Sequence, residues 1–284
     1  MKRLFAILLI AGLHLGFSAS ADAHTMNLAD GGFVSFDEIV EDLKGVRLVF
    51  MGELHDNTGH HRAQLQVIRA LRHAGVPVAI GLEMFRSDSQ EALDQWVAGD
   101  ISEKRFLRRH YFENWSMWPE YREIFIEARE KKIPMVGLNI SRKITQRVAR
   151  SGFASLSARE VGQLPGRVRC DVDEKYKEYI RRVLGGHVHN NSSFLHFCEA
   201  QLLWDTVMAD ALLDFLKTHP NHIVVVLTGS GHAWKYGIPE QISREAKVPY
   251  RVLLPEIPGR IEAGNVTHAE ADYLMMGLEE GPLH

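Results

Sequence analysis

Short apolar stretches alternate with amphipathic stretches along most of this chain. The apolar stretches are rich in valine, isoleucine and leucine, and runs of this length and composition are typical of parallel strands covered on both faces. The segments between the first three carry apolar residues at helical spacing, as in βαβ units. We therefore predict an α/β fold with a mostly parallel sheet and flanking helices. The predicted strands are 47–52, 76–83, 133–140, 222–228 and 249–254.

Helix signals support this order of elements. Ser35 and Glu38 form a capping-box pattern before an apolar run, Gly75 follows a helical pattern as a terminator, and Pro119 suits the first turn of a helix. Residues 141–221 show only helical patterns, so we predict a helical insertion between the third and fourth strands. The predicted helices are 58–73, 87–97, 102–110, 119–131, 173–184 and 194–216.

The first 23 residues read as a secretory signal peptide. Lys2 and Arg3 precede an apolar run, and Ala21 and Ala23 provide the small residues expected before a cleavage site. Without a cysteine near that site we expect no lipid anchor, and we expect a periplasmic or secreted protein. Residues 24–284 are predicted to form a single domain. Removing the segment changes the formal net charge from −3 to −4, which argues against a nucleic-acid partner.

Cys170 and Cys198 are the two cysteines of the chain. Export to an oxidising compartment would permit them to form a disulfide. The alternative is a pair of buried free thiols, since an even count does not prove pairing.

Two of the predicted strands are followed by the same pattern, Gly-x-x-His. His55 ends the pattern after the first strand and His232 ends the one after the fourth. Glu83 ends the second strand, and Glu53 precedes His55 by two residues. Because ligands of parallel sheets bind beyond the carboxyl ends of the strands, we expect these side chains to converge. They form a candidate metal or acid/base site, with His55, His232 and Glu83 as metal ligands and Glu53 or Glu83 as catalytic carboxylates.

Simpler explanations exist for each of these residues. His55 would cap the following helix or pack in the core, and Glu83 would form a local salt bridge with Arg86. Arg142 follows the third strand, where it would neutralise an anionic ligand. The sequence alone leaves these alternatives open.

The insertion carries a second group of candidate ligands. Tyr176 and Tyr179 lie three residues apart on one predicted helix, and His187, His189 and His196 follow within a short span. A phenolate is a hard anionic ligand for ferric iron, and tyrosine is a known axial ligand of haem. The alternative is that the tyrosines are helix-surface residues and the histidines loop residues.

Several of these segments together resemble the ChaN-like haem-binding proteins of the superfamily that includes Tiki, TraB and erythromycin esterase. The resemblance covers roughly residues 35–255 and rests on their order along the chain, which is more specific than any one motif. The matching segments are GELHDN, GLEMF, LNISRK and CEAQLLWDTVMADAL.

The resemblance implies an exported protein that binds haem without transforming it and serves bacterial iron uptake. It implies a homodimer that encloses two stacked haems, with iron ligated by a tyrosine of one subunit. We take Tyr176 and Tyr179 as candidate ligands, with His187, His189, His196 and Arg142 as further haem-binding residues. An outer-membrane haem receptor system would be the partner. The rival interpretation, implied by the Tiki branch, is a metal-dependent hydrolase that uses the two Gly-x-x-His motifs and a glutamate.

Overall fold

The computed structural model describes residues 24–164, 172–183 and 192–278. The signal-peptide prediction, Cys170 with its predicted disulfide, and the candidate ligands His187 and His189 lie outside these residues. One eight-stranded sheet organises the rest, in the order β2-β1-β8-β7-β3-β6-β4-β5. The strands are β1 His24–Asn27, β2 Phe33–Val34, β3 Leu48–Glu53, β4 Val78–Arg86, β5 Met135–Asn139, β6 Ile223–Gly229, β7 Tyr250–Pro255 and β8 Tyr273–Met276.

The six strands from β8 to β5 are parallel, and β1 joins β8 as an antiparallel extension that β2 continues. The predicted α/β fold with a mostly parallel sheet is thus confirmed. All five predicted strands are present, within two or three residues at each end. Strands β1, β2 and β8 were not predicted because each has only two to four residues, too few to show a strand pattern.

Helices cover both faces of the sheet. A 3₁₀ turn over Ser87–Ser89 precedes α3, and a π-helical segment over Leu107–Tyr111 joins α4 to α5. The helices are α1 Phe36–Leu43, α2 Thr58–His73, α3 Gln90–Ala98, α4 Glu103–Phe106, α5 Phe112–Asn114, α6 Trp118–Lys131, α7 Arg142–Ser151, α8 Ala158–Val161, α9 Glu174–Val183, α10 Ser192–Thr218, α11 Ser230–Ala233 and α12 Ile238–Glu245.

Local sequence explains where these helices begin and end. Ser35 and Glu38 form the reciprocal capping box that the sequence predicted at α1. Gly75 follows α2 with a φ of 80°, a left-handed conformation that glycine adopts without a Cβ clash. Between β5 and β6 the elements among the described residues are the helices α7–α10 and a 3₁₀ turn, Phe153–Ser155, which agrees with the predicted insertion.

Alternate residues along the strands pack into two separate hydrophobic cores. Val49 and Met51 of β3 pack towards α1, α2, α3 and α6, whereas Leu48 and Phe50 pack towards α9, α10 and α12. This alternation follows from the two-residue period of a strand. Helix α10 covers the second face and also packs against α7 in a third, smaller cluster. None of the helices in the described part has both the length and the apolar character needed to cross a bilayer.

Candidate functional site

The carboxyl ends of three adjacent strands meet at one level of the sheet. Glu53 on β3 stands opposite Gly229 on β6, and Leu82 on β4 stands opposite Leu227, so that Glu83 comes next at the same edge. Gly52 must be a glycine here, because a Cβ at that position would approach Ser230 Oγ to 2.9 Å. The predicted convergence of strand ends is therefore present in the structure.

Glu53 is a buried carboxylate that holds the His55 ring. Its Oε1 lies 2.7 Å from His55 Nδ1 and accepts a hydrogen bond from the Tyr121 hydroxyl of α6. Its Oε2 accepts from Gln64 Nε2 of α2 at 2.6 Å and lies 3.5 Å from His61 Nε2. With only 2% of Glu53 exposed, these donors replace the water that a charged carboxylate needs.

This pairing shifts the pKa values of the two partners in opposite directions. Burial raises the pKa of Glu53, but the hydrogen bond from His55 and the charges of His61 and His55 outweigh it and hold that pKa well below its usual range. Burial lowers the pKa of His55, but the hydrogen bond to Glu53 and the charges of Glu83, Glu53 and Asp56 raise it to about 9. At neutral pH the pair is a carboxylate and an imidazolium, with His55 Nδ1 as the donor.

His232 is held by a second buried carboxylate, on a different element. Asp205 lies in the middle of α10 and is 1% exposed. Its Oδ1 lies 2.6 Å from His232 Nδ1, and its Oδ2 accepts from the Tyr176 hydroxyl at 2.6 Å. The site thus repeats one arrangement, in which a tyrosine binds a buried carboxylate and the carboxylate orients a histidine. A carboxylate in this position fixes the tautomer and the rotation of the ring.

Neighbouring charges also determine the pKa of His232. Burial lowers its pKa, but the charges of Glu83 and Asp205 and the hydrogen bond to Asp205 raise it to about 9. Burial raises the pKa of Asp205, and the positive charge of His232 lowers it by a smaller amount. Because Asp205 accepts two hydrogen bonds at 2.6 Å, we treat it as the ionised partner at neutral pH.

Glu83 lies between the two histidines. Its Oε2 accepts from the backbone N–H of Gly229 at 2.7 Å, and its Oε1 lies 3.7 Å from His232 Nε2. A Cβ on Gly229 would lie 3.3 Å from His55 Nε2. Each histidine therefore gives Nδ1 to its own carboxylate and leaves Nε2 beside Glu83 or Gly229. The site presents two cationic donors around one carboxylate.

A cavity of about 630 Å³ opens on one side of His55 and Glu83. Trp115 meets the His55 ring edge to face, with centroids 5.0 Å apart. Arg142 begins α7 and is exposed, and no ion pair is found for it among the described residues. The remaining lining residues of this larger cavity are Met84, Arg86, Phe112, Glu113, Asn114, Ser116, Met117, Asn139, Ile140 and Trp204.

A smaller cavity of about 270 Å³ lies on the other side of the same two residues. Arg182 reaches it from α9, fixed by Glu270 at 2.9 Å and by the carbonyl of Asn265. The other lining residues are Glu53, Leu54, Gly229, Ser230, Gly231, His232, Trp234, Ile257, Arg260 and Ile261.

The prediction of a divalent metal held by His55, Glu83 and His232 is not supported. Within the described residues no three His, Cys, Asp or Glu side chains are placed to hold a metal ion. The rival interpretation of metal-dependent hydrolysis therefore has no metal site in this part of the chain.

The predicted haem residues are placed in different ways. Arg142 lines the larger cavity with His55 and Glu83. Tyr176 and Tyr179 are 4% and 3% exposed and line neither cavity. The Tyr176 hydroxyl is taken by Asp205, and burial raises the pKa of both phenols well above the usual value. This geometry does not favour direct iron ligation, and the assignment of these two tyrosines stays a prediction.

His196 also stands apart from the two cavities. It packs against Gly152 at the end of α7, where a Cβ would lie 2.9 Å from His196 Nε2. Its ligand role is likewise still a prediction.

Several residues of the site escaped the sequence reasoning. Asp205 had a usable signal, because it is a lone acid among buried apolar positions of a 27-residue helix. Tyr121 and Gln64 gave none, since both sit on ordinary amphipathic helices. Trp115 and Trp204, which line the larger cavity, were likewise not distinguishable from core residues.

The sheet edge with its two carboxylate-bound histidines places the chain among α/β proteins with a polar site at the strand ends. A sequence model of the family "haem-binding uptake, Tiki superfamily, ChaN" matches residues 39–242, and the chain belongs to this family. A comparison with curated proteins gave no significant match.

Solved structures agree on the fold. A structure of ChaN of Campylobacter jejuni, whose subject is cofacial haem binding, aligns with a TM-score of 0.69 at 21% identity over 90% of this chain and 97% of that one. The type III effector HopBA1 aligns with a TM-score of 0.50 at 14% identity, over 86% and 93% of the chains. A mutant of the erythromycin esterase EreC also aligns with a TM-score of 0.50 at 14% identity, over 81% of this chain and 76% of that one.

Proposed function

We propose that this protein binds haem as a cargo in the larger cavity and serves bacterial haem and iron uptake. The observation that carries the proposal is a cavity with aromatic walls and two arginines at the strand ends, in a chain of the haem-binding uptake family. Its volume lies within the range of about 300–1,000 Å³ that is usual for ligand sites.

The lining residues fit the chemistry of haem. Trp115 and Trp204 provide flat apolar surfaces for a porphyrin face. Arg142 is exposed at the mouth, and a guanidinium binds a carboxylate such as a propionate in a bidentate manner. Arg86 already bonds to Asp88 at 2.8 Å, so Arg142 is the cation most available for this purpose.

Titration of the purified protein with hemin tests this proposal. We expect a saturable shift of the Soret band, and Arg142→Ala should weaken binding about tenfold or more because a hydrogen bond to a charged group is worth about 1.5–3 kcal/mol. Arg150→Ala is the matched control, since Arg150 is an exposed arginine of the same helix outside the cavity. Absence of saturable binding, or an equal loss in both variants, would contradict the proposal.

The iron ligand is tested separately. If Tyr176 or Tyr179 ligates ferric iron, the double variant Tyr176→Phe, Tyr179→Phe loses the charge-transfer band of a phenolate complex. An unchanged spectrum would exclude both residues and direct attention to the residues that line the cavity.

We further propose that the protein is exported and acts as a homodimer beside an outer-membrane haem receptor system. These proposals rest on the family and on the basic, apolar and small-residue order of the first 23 residues. Mass measurement of the haem complex gives both the oligomeric state and the haem stoichiometry. A strictly monomeric complex would contradict the dimer.

A further inference from the structure

A cluster of four basic residues lies outside the candidate site. Lys104, Arg105, Arg108 and Arg109 line one cavity of about 290 Å³ together with Ser102. All four are exposed, and no ion pair is found for any of them among the described residues. We call this group the basic cluster. Four uncompensated charges on one short segment repel each other, so the arrangement favours an anionic partner.

Glu103, the acidic residue of this segment, does not neutralise the basic cluster. Glu103 faces away to α6, where its two oxygens accept from Arg122 at 2.8 and 3.1 Å and from the indole of Trp118. That ion pair anchors the start of α4 on α6. The cluster is therefore presented from a fixed helix.

The backbone of this segment is unusual. Leu107–Tyr111 form a π-helical segment, and the N–H of Phe112 bonds to the carbonyl of Leu107. The wider turn inserts a residue into the helix, and such segments occur frequently at functional sites. Inside it, Tyr111 turns into the core with no measurable exposure. Its neighbours Arg108 and Arg109 are left to line the basic cavity.

An exposed aromatic side chain follows the cluster directly. Phe112 is 57% exposed and stands four residues after Arg108, which is close to one turn of the π-helical segment. It also lines the mouth of the larger cavity. An apolar ring beside several basic side chains is the pattern of segments that lie in the interface of an anionic bilayer.

From this juxtaposition we propose that the surface formed by the basic cluster and Phe112 docks on an anionic lipid bilayer. The four basic side chains contact lipid phosphates, and the Phe112 ring enters the interface. The exposed apolar ring of Phe112 favours a bilayer over a nucleic acid, which is recognised mainly through charge. Docking by this surface would bring the mouth of the larger cavity next to the membrane.

Vesicle sedimentation with purified protein that lacks the predicted signal peptide, residues 24–284, tests the proposal, because the apolar run of the first 23 residues would itself bind to any vesicle. We expect binding to vesicles that contain phosphatidylglycerol, weaker binding at high salt, and little binding to phosphatidylcholine vesicles. Each basic residue near an anionic surface contributes about 1 kcal/mol. The variant Arg108→Gln, Arg109→Gln should therefore bind roughly thirtyfold more weakly.

A matched control removes two exposed charges elsewhere. Arg150→Gln, Lys247→Gln should change vesicle affinity less than about threefold. Phe112→Ser should weaken binding about tenfold, because the ring would no longer be removed from water. Equal losses in the two double variants, equal binding to both vesicle types, or preferential binding to an acidic protein or to RNA would overturn the proposal. An unchanged affinity of Phe112→Ser would overturn insertion of the ring.

Haem titration of Arg108→Gln, Arg109→Gln separates this proposal from the proposed function. We expect hemin affinity to be unchanged in that variant, since neither arginine lines the larger cavity. The inference does not depend on haem binding, because vesicle binding is measured without haem.

Discussion

Replacing Asp205 by Asn removes one charge and keeps the shape of the side chain. Asp205 accepts two hydrogen bonds at 2.6 Å, from Tyr176 and from His232. An amide accepts through its oxygen alone and meets the second donor with its own N–H groups. We expect a lower free energy of unfolding and a lower pKa of His232.

The size of the effect follows from two contributions. Raising the His232 pKa from 6.5 to about 9 corresponds to roughly 3 kcal/mol shared among the charges around the ring. Asp205 is one of two carboxylates, so about 1–2 kcal/mol is lost with its charge. The mismatched hydrogen bond adds about 1–3 kcal/mol. Asp205→Asn should therefore lower the free energy of unfolding by about 2–5 kcal/mol near pH 6.

The stabilisation that His232 provides depends on pH in a defined direction. A group whose pKa is raised by folding stabilises the folded state fully at pH values below its unfolded pKa. That stabilisation is lost as the pH rises through its folded pKa. The charge contribution of His232 is therefore present below about pH 6.5 and lost around pH 9. The difference between wild type and Asp205→Asn should be smaller by about 1–2 kcal/mol at pH 10 than at pH 6.

Urea unfolding followed by tryptophan fluorescence at both pH values measures this difference. Asp214→Asn is the control, because Asp214 lies on the same helix in an exposed pair with Lys217 and should cost less than about 1 kcal/mol. NMR titration of the His232 ring reports its pKa directly, with His232→Gln to assign the signal. An equal stability difference at pH 6 and pH 10, or an unchanged His232 pKa, would refute the reasoning.

Three further substitutions test other parts of the site. Glu53→Gln should bring the pKa of His55 down from about 9 towards 6.5, as read by NMR titration, and an unshifted pKa would contradict the assigned cause. Tyr179→Phe removes a buried hydroxyl without a partner among the described residues, so thermal or urea unfolding should show equal or higher stability, by up to about 1 kcal/mol; a clear loss would reveal a missed partner. Gly229→Ala places a Cβ 3.3 Å from the His55 ring and should cost about 1–3 kcal/mol in urea unfolding, and a neutral result would show that the ring can move.

The sequence predicted the parallel sheet well because its central strands are continuous apolar runs, a pattern that buried strands require. It also placed His55, Glu83 and His232 at the strand ends, since the end of an apolar run is visible in one dimension. The partners of these residues were not predictable in the same way. Tyr121 and Gln64 reach Glu53 from other helices, and that contact depends on how the helices pack.

The metal prediction was not supported for a related reason. Two histidines and a glutamate at strand ends are compatible with a metal site or with ion pairs, and the sequence pattern is the same for both. In the structure the Nδ1 atoms of His232 and His55 lie against the buried carboxylates of Asp205 and Glu53, and each ring pairs with its carboxylate. Which of the two arrangements forms depends on residues distant in the chain.

His55 and Glu83 form part of the wall of both cavities. A ligand in one cavity that moves or neutralises either side chain changes the surface offered to a ligand in the other. Thermodynamic linkage requires this influence to be equal in both directions. The shared wall therefore makes the two cavities a coupled pair, in which a small anion bound beside Arg182 would alter the affinity of the cavity lined by Arg142.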